Sequence, residues 1–284
     1  MIGSAQPTRH PSTRARPYVV AEAVAILARQ QRRRRAVNWM AQLTAIAALI
    51  GGWQLAGTYW LDPFFYSTPM AVSQRLVEWF TVGTPFGSVW EQIMATLQEA
   101  VVGFVIGGIA GVAFGVMVGV SRMLSDFLGP FIKTANTVPR IVLATLFFIW
   151  FGLGTSSKVA TVVVMVFFAV FFETFRGVRE VDVRMIHEAE LLGVGVAVRI
   201  TAIVMPAAAP RIIAGLRSAV GLAWIGAIVA EFIGARKGLG LLVHYGQATF
   251  DAAGILAGMI VITAIAIAGE VILTGITRSL PLSR

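Results

Sequence analysis

The chain has no cysteine and little charge. None of its 284 residues is cysteine, which excludes disulfide bonds and thiolate metal sites. Only 13% are Asp, Glu, Lys or Arg, about half the charged fraction of a soluble domain. There is no long hydrophilic domain and no G-x-x-x-x-G-K-[ST] phosphate-binding loop. Nothing resembles a catalytic triad, a metal cluster or a carboxylate pair, so no chemistry and no bound cofactor are assigned to this chain.

Apolar residues make up 57% of the chain and form long runs. A helix needs about 20 such residues to cross the hydrocarbon core of a bilayer. The runs therefore predict an all-α polytopic membrane protein with six transmembrane helices and both ends on the same side. The predicted spans are Asn38–Leu61, Glu99–Val120, Leu128–Phe151, Lys158–Phe175, Arg211–Phe232 and Ala252–Ile276.

Positive charge is distributed unevenly along the chain. The formal net charge is +9, and the first 38 residues hold eight arginines. Most of the remaining arginines fall in segments that the six spans place on the same side as the N-terminus. Cytoplasmic loops of membrane proteins are enriched in Lys and Arg, so both termini are predicted to be cytoplasmic. The charge is thus a topology signal, and no nucleic-acid partner is expected.

Two segments outside the spans have a predicted organisation. Residues 1–37 form a basic cytoplasmic tail in front of the transmembrane domain, residues 38–284. Within the tail, Tyr18–Arg35 is either solvated, the interpretation we favour, or a helix lying on anionic lipid. Between the first two spans, Ala71–Phe80 alternates apolar and polar residues at helical spacing. This spacing predicts a short helix on the outer membrane interface.

The second span carries a regular row of glycines. They recur every fourth residue, which places them on one face of the helix. Such a face lets another helix approach backbone to backbone, and it predicts packing within the protein rather than ligand binding. The five packing glycines are Gly103, Gly107, Gly111, Gly115 and Gly119.

The loop between the fourth and fifth spans, about residues 177–210, is unusually charged and long. Asp182–Leu192 is compatible with a helix, which Gly193 and Gly195 would end. A second short helix is predicted over Val196–Val204, with Met205-Pro206 ending it. A connecting loop needs only a handful of residues, so more than thirty indicate a surface that docks on a partner.

This loop resembles the membrane-spanning subunits of bacterial binding-protein-dependent ABC importers. Their signature is E-A-A, three residues, glycine, nine residues, then I-x-L-P. With Gly193 as the glycine, nine residues lead to Ile203, followed by Met205 in place of leucine and by Pro206. The E-A-A positions differ, because they hold His187, Glu188 and Ala189. The stretches "WFGLGTSSK", "GLRSAVGLAWIGAIVAE" and "GLG" are similar to the nitrate/sulfonate/taurine branch of this family.

The resemblance implies a type I ABC importer permease in the bacterial inner membrane. The charged loop would be the coupling element that seats in a cytoplasmic ATPase dimer, where ATP and Mg²⁺ are bound. Other implied partners are a periplasmic or lipid-anchored solute-binding protein and a second copy of the chain, forming a homodimer. The solute would be a small anion such as a sulfonate, nitrate, taurine or an aromatic carboxylate, or alternatively a neutral pyrimidine or flavin-like compound.

Ionisable residues within spans are candidates for the translocation pathway, since they are costly in a bilayer. Arg140 follows Pro139 in the third span, where it either lines the pathway or forms a structural contact. Glu231 and Trp224 of the fifth span complete the pathway candidates, whereas Glu270 is interpreted as paired or reaching the interface. The competing hypothesis, a self-contained channel or ion-coupled carrier, predicts internal repeats, and the two halves show none.

Overall fold

The computed structural model describes residues 17–137 and 139–279, and the regular elements of these two ranges are all helices. The chain divides into two compact units, residues 1–60 and 61–284. The first unit holds a single described helix, α1 (Pro17–Tyr59). It includes residues 38–59 of the predicted first span and residues 17–37 of the predicted tail, while residues 1–16 lie outside the described part.

Helix α1 begins where the sequence favours a helix start. Pro17 occupies the first helical position, at which a proline loses no hydrogen bond. The next residues are rich in Ala, Gln and Arg, which have high helix propensity. Tyr18–Arg35 is therefore helical, whereas its contact with lipid stays a prediction.

The second unit is built from eleven named α-helices and one π-helical turn within the described residues. In chain order these are α2 (Pro63–Tyr66), α3 (Pro69–Thr81), α4 (Val89–Val120), α5 (Arg122–Thr137), α6 (Arg140–Phe151), α7 (Thr155–Arg179), α8 (Val183–Leu191), α9 (Val196–Arg199), the π turn (Ile200–Val204), α10 (Met205–Ile233), α11 (Leu239–Ala248) and α12 (Ala252–Ser279).

Helix α3 confirms the short helix that was predicted between the first two spans. Thr68 caps its N-terminus by accepting a hydrogen bond from Ala71 N at 3.3 Å. One face of α3 buries Val72 and Trp79, and this face packs on α12. The amphipathic pattern therefore reflects packing within the protein.

Four helical segments of the described residues are long and apolar enough to cross a membrane. They are Val89–Val120, Thr155–Arg179, Val196–Ile233 and Ala252–Ile272, and they contain most of the second, fourth, fifth and sixth predicted spans. The prediction of one continuous helix over Leu128–Phe151 is wrong, because the chain is divided there into α5 and α6. Proline lacks an N–H and cannot continue the hydrogen bonding of a helix, and Pro139 itself is extended directly before α6.

Helices α4, α7 and α10 form the core of the second unit. The five predicted packing glycines of α4 are buried against α7. An added Cβ at Gly107 would lie 2.7 Å from Val163 O, and one at Gly111 would lie 2.9 Å from Phe167 O. Only glycine permits this approach of the two backbones. Because lipid is as apolar as the core, van der Waals contact of this kind supplies much of the attraction between membrane helices.

The segment after Gly195 is one continuous helix, Val196–Ile233. The prediction that Met205-Pro206 ends the second short helix is therefore wrong. Met205 N–H donates to Ile200 O across the π turn, and Pro206 follows immediately in the first turn of α10. The change from i→i+5 to i→i+4 bonding accommodates a proline that would otherwise break the helix.

Candidate functional site

Helix α8 has a capping motif at each end. At its N-terminus, Asp182 Oδ1 accepts a hydrogen bond from Arg184 N at 2.8 Å. At its C-terminus, Gly193 has a φ of +73° and Val194 N–H donates to Ala189 O at 2.9 Å. This is a Schellman motif, in which glycine adopts the left-handed conformation without steric cost. The chain therefore turns sharply between α8 and α9, as the glycine predicts.

The two faces of α8 have different surroundings. Ala189 is buried, and Ile186 packs against the apolar cluster formed by the ends of α7 and α10. His187 and Glu188, which occupy the signature positions, are exposed. At the end of the helix, Leu191 and its neighbour Leu192 are 88% and 82% exposed. The segment thus presents two apolar side chains away from the core, outside the four membrane-length segments.

Ion pairs connect this segment to the long helices. Arg199 of α9 lies 3.2 Å from a Glu190 carboxylate oxygen of α8. Arg211 of α10 donates to both carboxylate oxygens of Glu180, at 2.7 and 3.0 Å, and lies 3.6 Å from Glu173. One ion pair therefore joins α8 to α9, and the others join the end of α7 to α10.

The remaining signature residues lie in the continuous helix that leads from α9 into α10. Ile203 and Met205 pack against the apolar cluster of α7 and α10, and Pro206 is exposed. Since no loop interrupts Val196–Ile233, a displacement of α8 would pass through α9 and the π turn directly to a membrane-length helix. This arrangement suits a segment that transmits motion.

A buried polar cluster lies at the opposite end of the α4–α7–α10 core. Glu231 of α10 is 0% exposed, and its carboxylate accepts hydrogen bonds from Thr96 Oγ1 at 2.6 Å and from Gly240 N at 2.7 Å. Beside it, Lys158 Nζ of α7 lies 2.5 Å from Glu99 Oε1 of α4. Both members of this ion pair are almost fully buried. Burial of such charges is tolerated because they are paired and hydrogen-bonded.

The same cluster holds the backbone of the turn between α10 and α11. Gln92 Oε1 accepts from Gly238 N at 2.8 Å, and Thr96 Oγ1 accepts from Leu239 N at 2.9 Å. Gly238 has a φ of +127°, and a Cβ there would collide with the Glu231 carboxylate. Side chains of α4 and α10 therefore fix the start of α11, and only glycine fits this position.

Sequence analysis identified Glu231 in this cluster and missed the other members. Glu99 and Lys158 entered it only as the first residues of the predicted second and fourth spans. The available signal was the spacing of Gln92, Thr96 and Glu99, which places three polar side chains on one face of an apolar helix.

The other pathway candidates lie apart from the cluster. Pro139 precedes the first turn of α6, and the Arg140 guanidinium lies 5.2 Å from the ring centre of Phe168 on α7. This cation–π contact joins α6 to α7. Trp224 is largely buried, packs on Gly269 of α12 and borders an apolar cavity of about 380 Å³. A pathway role for these residues stays a prediction.

Comparison with known proteins identifies relatives along most of the chain. The family described as "Binding-protein-dependent transport system inner membrane component" matches residues 103–281. The putative aliphatic sulfonates transport permease SsuC of Bacillus subtilis is 29% identical, covering 86% of each chain. The taurine permease TauC of Escherichia coli is 28% identical, covering 80% of this chain and 83% of TauC. The riboflavin permease RibX of Chloroflexus aurantiacus is 34% identical, covering 66% and 69%.

A solved structure has the same fold. A chain of the MetNI methionine ABC transporter, in an inward-facing conformation, superimposes with a TM-score of 0.52 at 19% identity. The match covers 69% of the present chain and 94% of the MetNI chain. At this identity the similarity shows only that the two chains share an arrangement of helices.

Proposed function

This chain belongs to the family of inner-membrane components of binding-protein-dependent transport systems, and from that premise we propose that it forms half of the translocation pathway of an ATP-driven importer. Its second half is another copy of the same chain. Two ATPase subunits bind on the cytoplasmic side, and a solute-binding protein delivers the solute from outside. ATP is hydrolysed on the partner subunits, in keeping with the absence of a phosphate-binding loop here.

The exposed α8 segment is the observation that carries the proposal. A soluble partner with a complementary cleft would bury Leu191 and Leu192, two adjacent apolar side chains that are otherwise exposed. The segment lies in the arginine-rich part of the chain that the positive-inside rule assigns to the cytoplasm. Closure of the ATPase dimer would then move α8, and through it Val196–Ile233.

The experiment is a substitution on the exposed surface of α8. Leu191→Asp should prevent the ATPase subunit of the transporter from co-purifying with the permease, because a carboxylate would be buried at the interface. The matched control is Val82→Asp, since Val82 is 85% exposed and follows α3 at the other end of the unit. Retention of the ATPase by Leu191→Asp, or its equal loss from both variants, would disprove coupling through α8.

The proposed solute is a small organic anion of the sulfonate class. Two of the relatives described above are named for sulfonate and taurine transport, which favours that class. The permease named for riboflavin supports a second candidate, a neutral ring compound. Cells expressing the chain together with the ATPase and solute-binding protein of the same transporter should accumulate labelled taurine but not labelled riboflavin. Uptake of riboflavin alone would show that the solute is a neutral ring compound and not a sulfonate. The proposed coupling through α8 would be unaffected.

A further inference from the structure

A cavity lies between α8 and the ends of the long helices. Its volume is about 500 Å³. The end of α4 and the start of α5 form one wall, the end of α7 forms another, and α8, α9 and the π turn close the rest. Apolar side chains such as Val178, Ile186 and Val204 form its floor. The cavity is therefore partly enclosed and accessible from the end of the bundle that carries α8.

The polar lining of this cavity is predominantly basic. Arg122, Arg179 and Arg199 come from three different helices, and His187 lies among them. Glu190 is the single carboxylate in the lining. Three guanidinium groups around one carboxylate leave an excess of positive charge over an apolar floor. This charge favours an anionic ligand, and the planar donor arrangement of arginine suits a phosphate group.

Arg199 lines the cavity and is restrained there by an ion pair with Glu190. Its side chain is only 17% exposed, and Glu190 engages one terminal nitrogen at 3.2 Å. The Nε–H group is buried without a hydrogen-bond partner. The π turn begins directly after Arg199, and π turns occur often at functional sites.

We propose that this cavity is a binding site for a phosphate group, carried either by an anionic phospholipid or by a free phosphate compound. The arginines bind the phosphate oxygens, and the apolar floor suits the glycerol and upper acyl chain of a lipid. Basic cavities between membrane helices near the cytoplasmic surface are a recurrent feature of lipid binding. An occupant would contact α8, α9 and the long helices together. This site does not depend on the proposed coupling to an ATPase.

The test is a binding titration on the purified full-length chain, stripped of lipid in a neutral detergent. Phosphatidylglycerol, phosphatidylcholine and inorganic phosphate are titrated separately, and bound ligand is counted by native mass spectrometry. We expect one phosphatidylglycerol to bind at least about tenfold more tightly than phosphatidylcholine, since the second lipid carries no net charge. Arg199→Gln should weaken this binding about tenfold, the loss of one charge-assisted hydrogen bond.

Two further variants keep the test interpretable. Arg122→Gln lies on the exposed side of the cavity and should weaken binding even if Arg199→Gln fails to fold. Arg176→Gln is the matched control, because Arg176 is an exposed arginine near the same end of α7 but outside the cavity. Equal affinity for the two lipids with no phosphate binding, or equal affinity of Arg122→Gln and the control, would overturn the proposal.

The inorganic phosphate arm distinguishes the two sources. If millimolar phosphate binds in an Arg122-dependent manner and displaces the lipid, the site recognises a free phosphate compound. If phosphate neither binds nor competes while phosphatidylglycerol does, the ligand is the lipid. Either result supports a phosphate site, and both are independent of whether an ATPase co-purifies with the chain.

Discussion

The two ends of the α4–α7–α10 core differ in the ion pairs that they hold. At the α11 end, Lys158, Glu99 and Glu231 are inaccessible and bonded to each other or to the α10–α11 turn. At the α8 end, Arg211 and Glu180 form an ion pair that remains open to solvent. A buried ion pair favours one arrangement, because separating its members would leave an unpaired charge inside the protein. An exposed pair separates at little cost, because water solvates both charges. The difference indicates a fixed α11 end and an adjustable α8 end.

The largest expected effect is at the buried end. Lys158→Met removes the ammonium group that pairs with the buried Glu99 carboxylate, and it should lower the free energy of unfolding by about 3–5 kcal/mol. Denaturant titration of the detergent-solubilised protein measures this change. The matched control is Lys237→Met, because Lys237 pairs with Glu91 at the same end but both side chains are more than half exposed. Similar losses in the two variants would remove the distinction between buried and exposed pairs.

An intermediate effect is expected at the turn that ends α8. Gly193→Val forces a branched side chain into a positive φ, at a local cost of about 1–2 kcal/mol, and should displace α8. Stimulated ATP hydrolysis by the assembled transporter should be lost while the membrane helices still insert. Gly195→Val is the control, since Gly195 has a φ of −63° and equally open surroundings. Normal stimulated turnover in Gly193→Val would show that the conformation of this turn is not required for coupling.

The smallest effect is expected at the exposed ion pair. Arg211→Gln leaves the Glu180 and Glu173 carboxylates in contact with solvent, so no buried charge is created. The denaturant midpoint should stay within experimental error of the wild-type value. A loss as large as that from Lys158→Met would mean that the α8 end is held as rigidly as the α11 end.

Local patterns predicted much of the fold. The helical spacing of Ala71–Phe80 identified α3. The apolar runs identified the four membrane-length segments, and the predicted ends differ from the observed ends by at most about fifteen residues. Gly193 predicted the end of α8, because a glycine after a helical segment commonly adopts the left-handed conformation that ends a helix. These features depend on neighbours in the chain, and so a single sequence contains the information for them.

Prolines were the main source of error. Pro139 was interpreted as a kink within one span, and it separates two helices instead. Pro206 was interpreted as a helix end, and the helix continues through it after a π turn. A proline removes one donor in every case, but the surrounding packing decides whether the helix breaks or adjusts its hydrogen-bond register.

The sequence by itself determined that this chain is helical, that it is embedded in a membrane and that one long charged segment stands apart from the apolar helices. It also specified the glycine face of α4, since a spacing of four residues needs no partner to be recognised. The pairing of Lys158 with Glu99, and of Thr96 with Glu231 at a separation of 135 residues, was decided only by tertiary structure. Sequence spacing predicts which residues share one face of a helix. Their partners on other helices depend on how α4, α7 and α10 pack together.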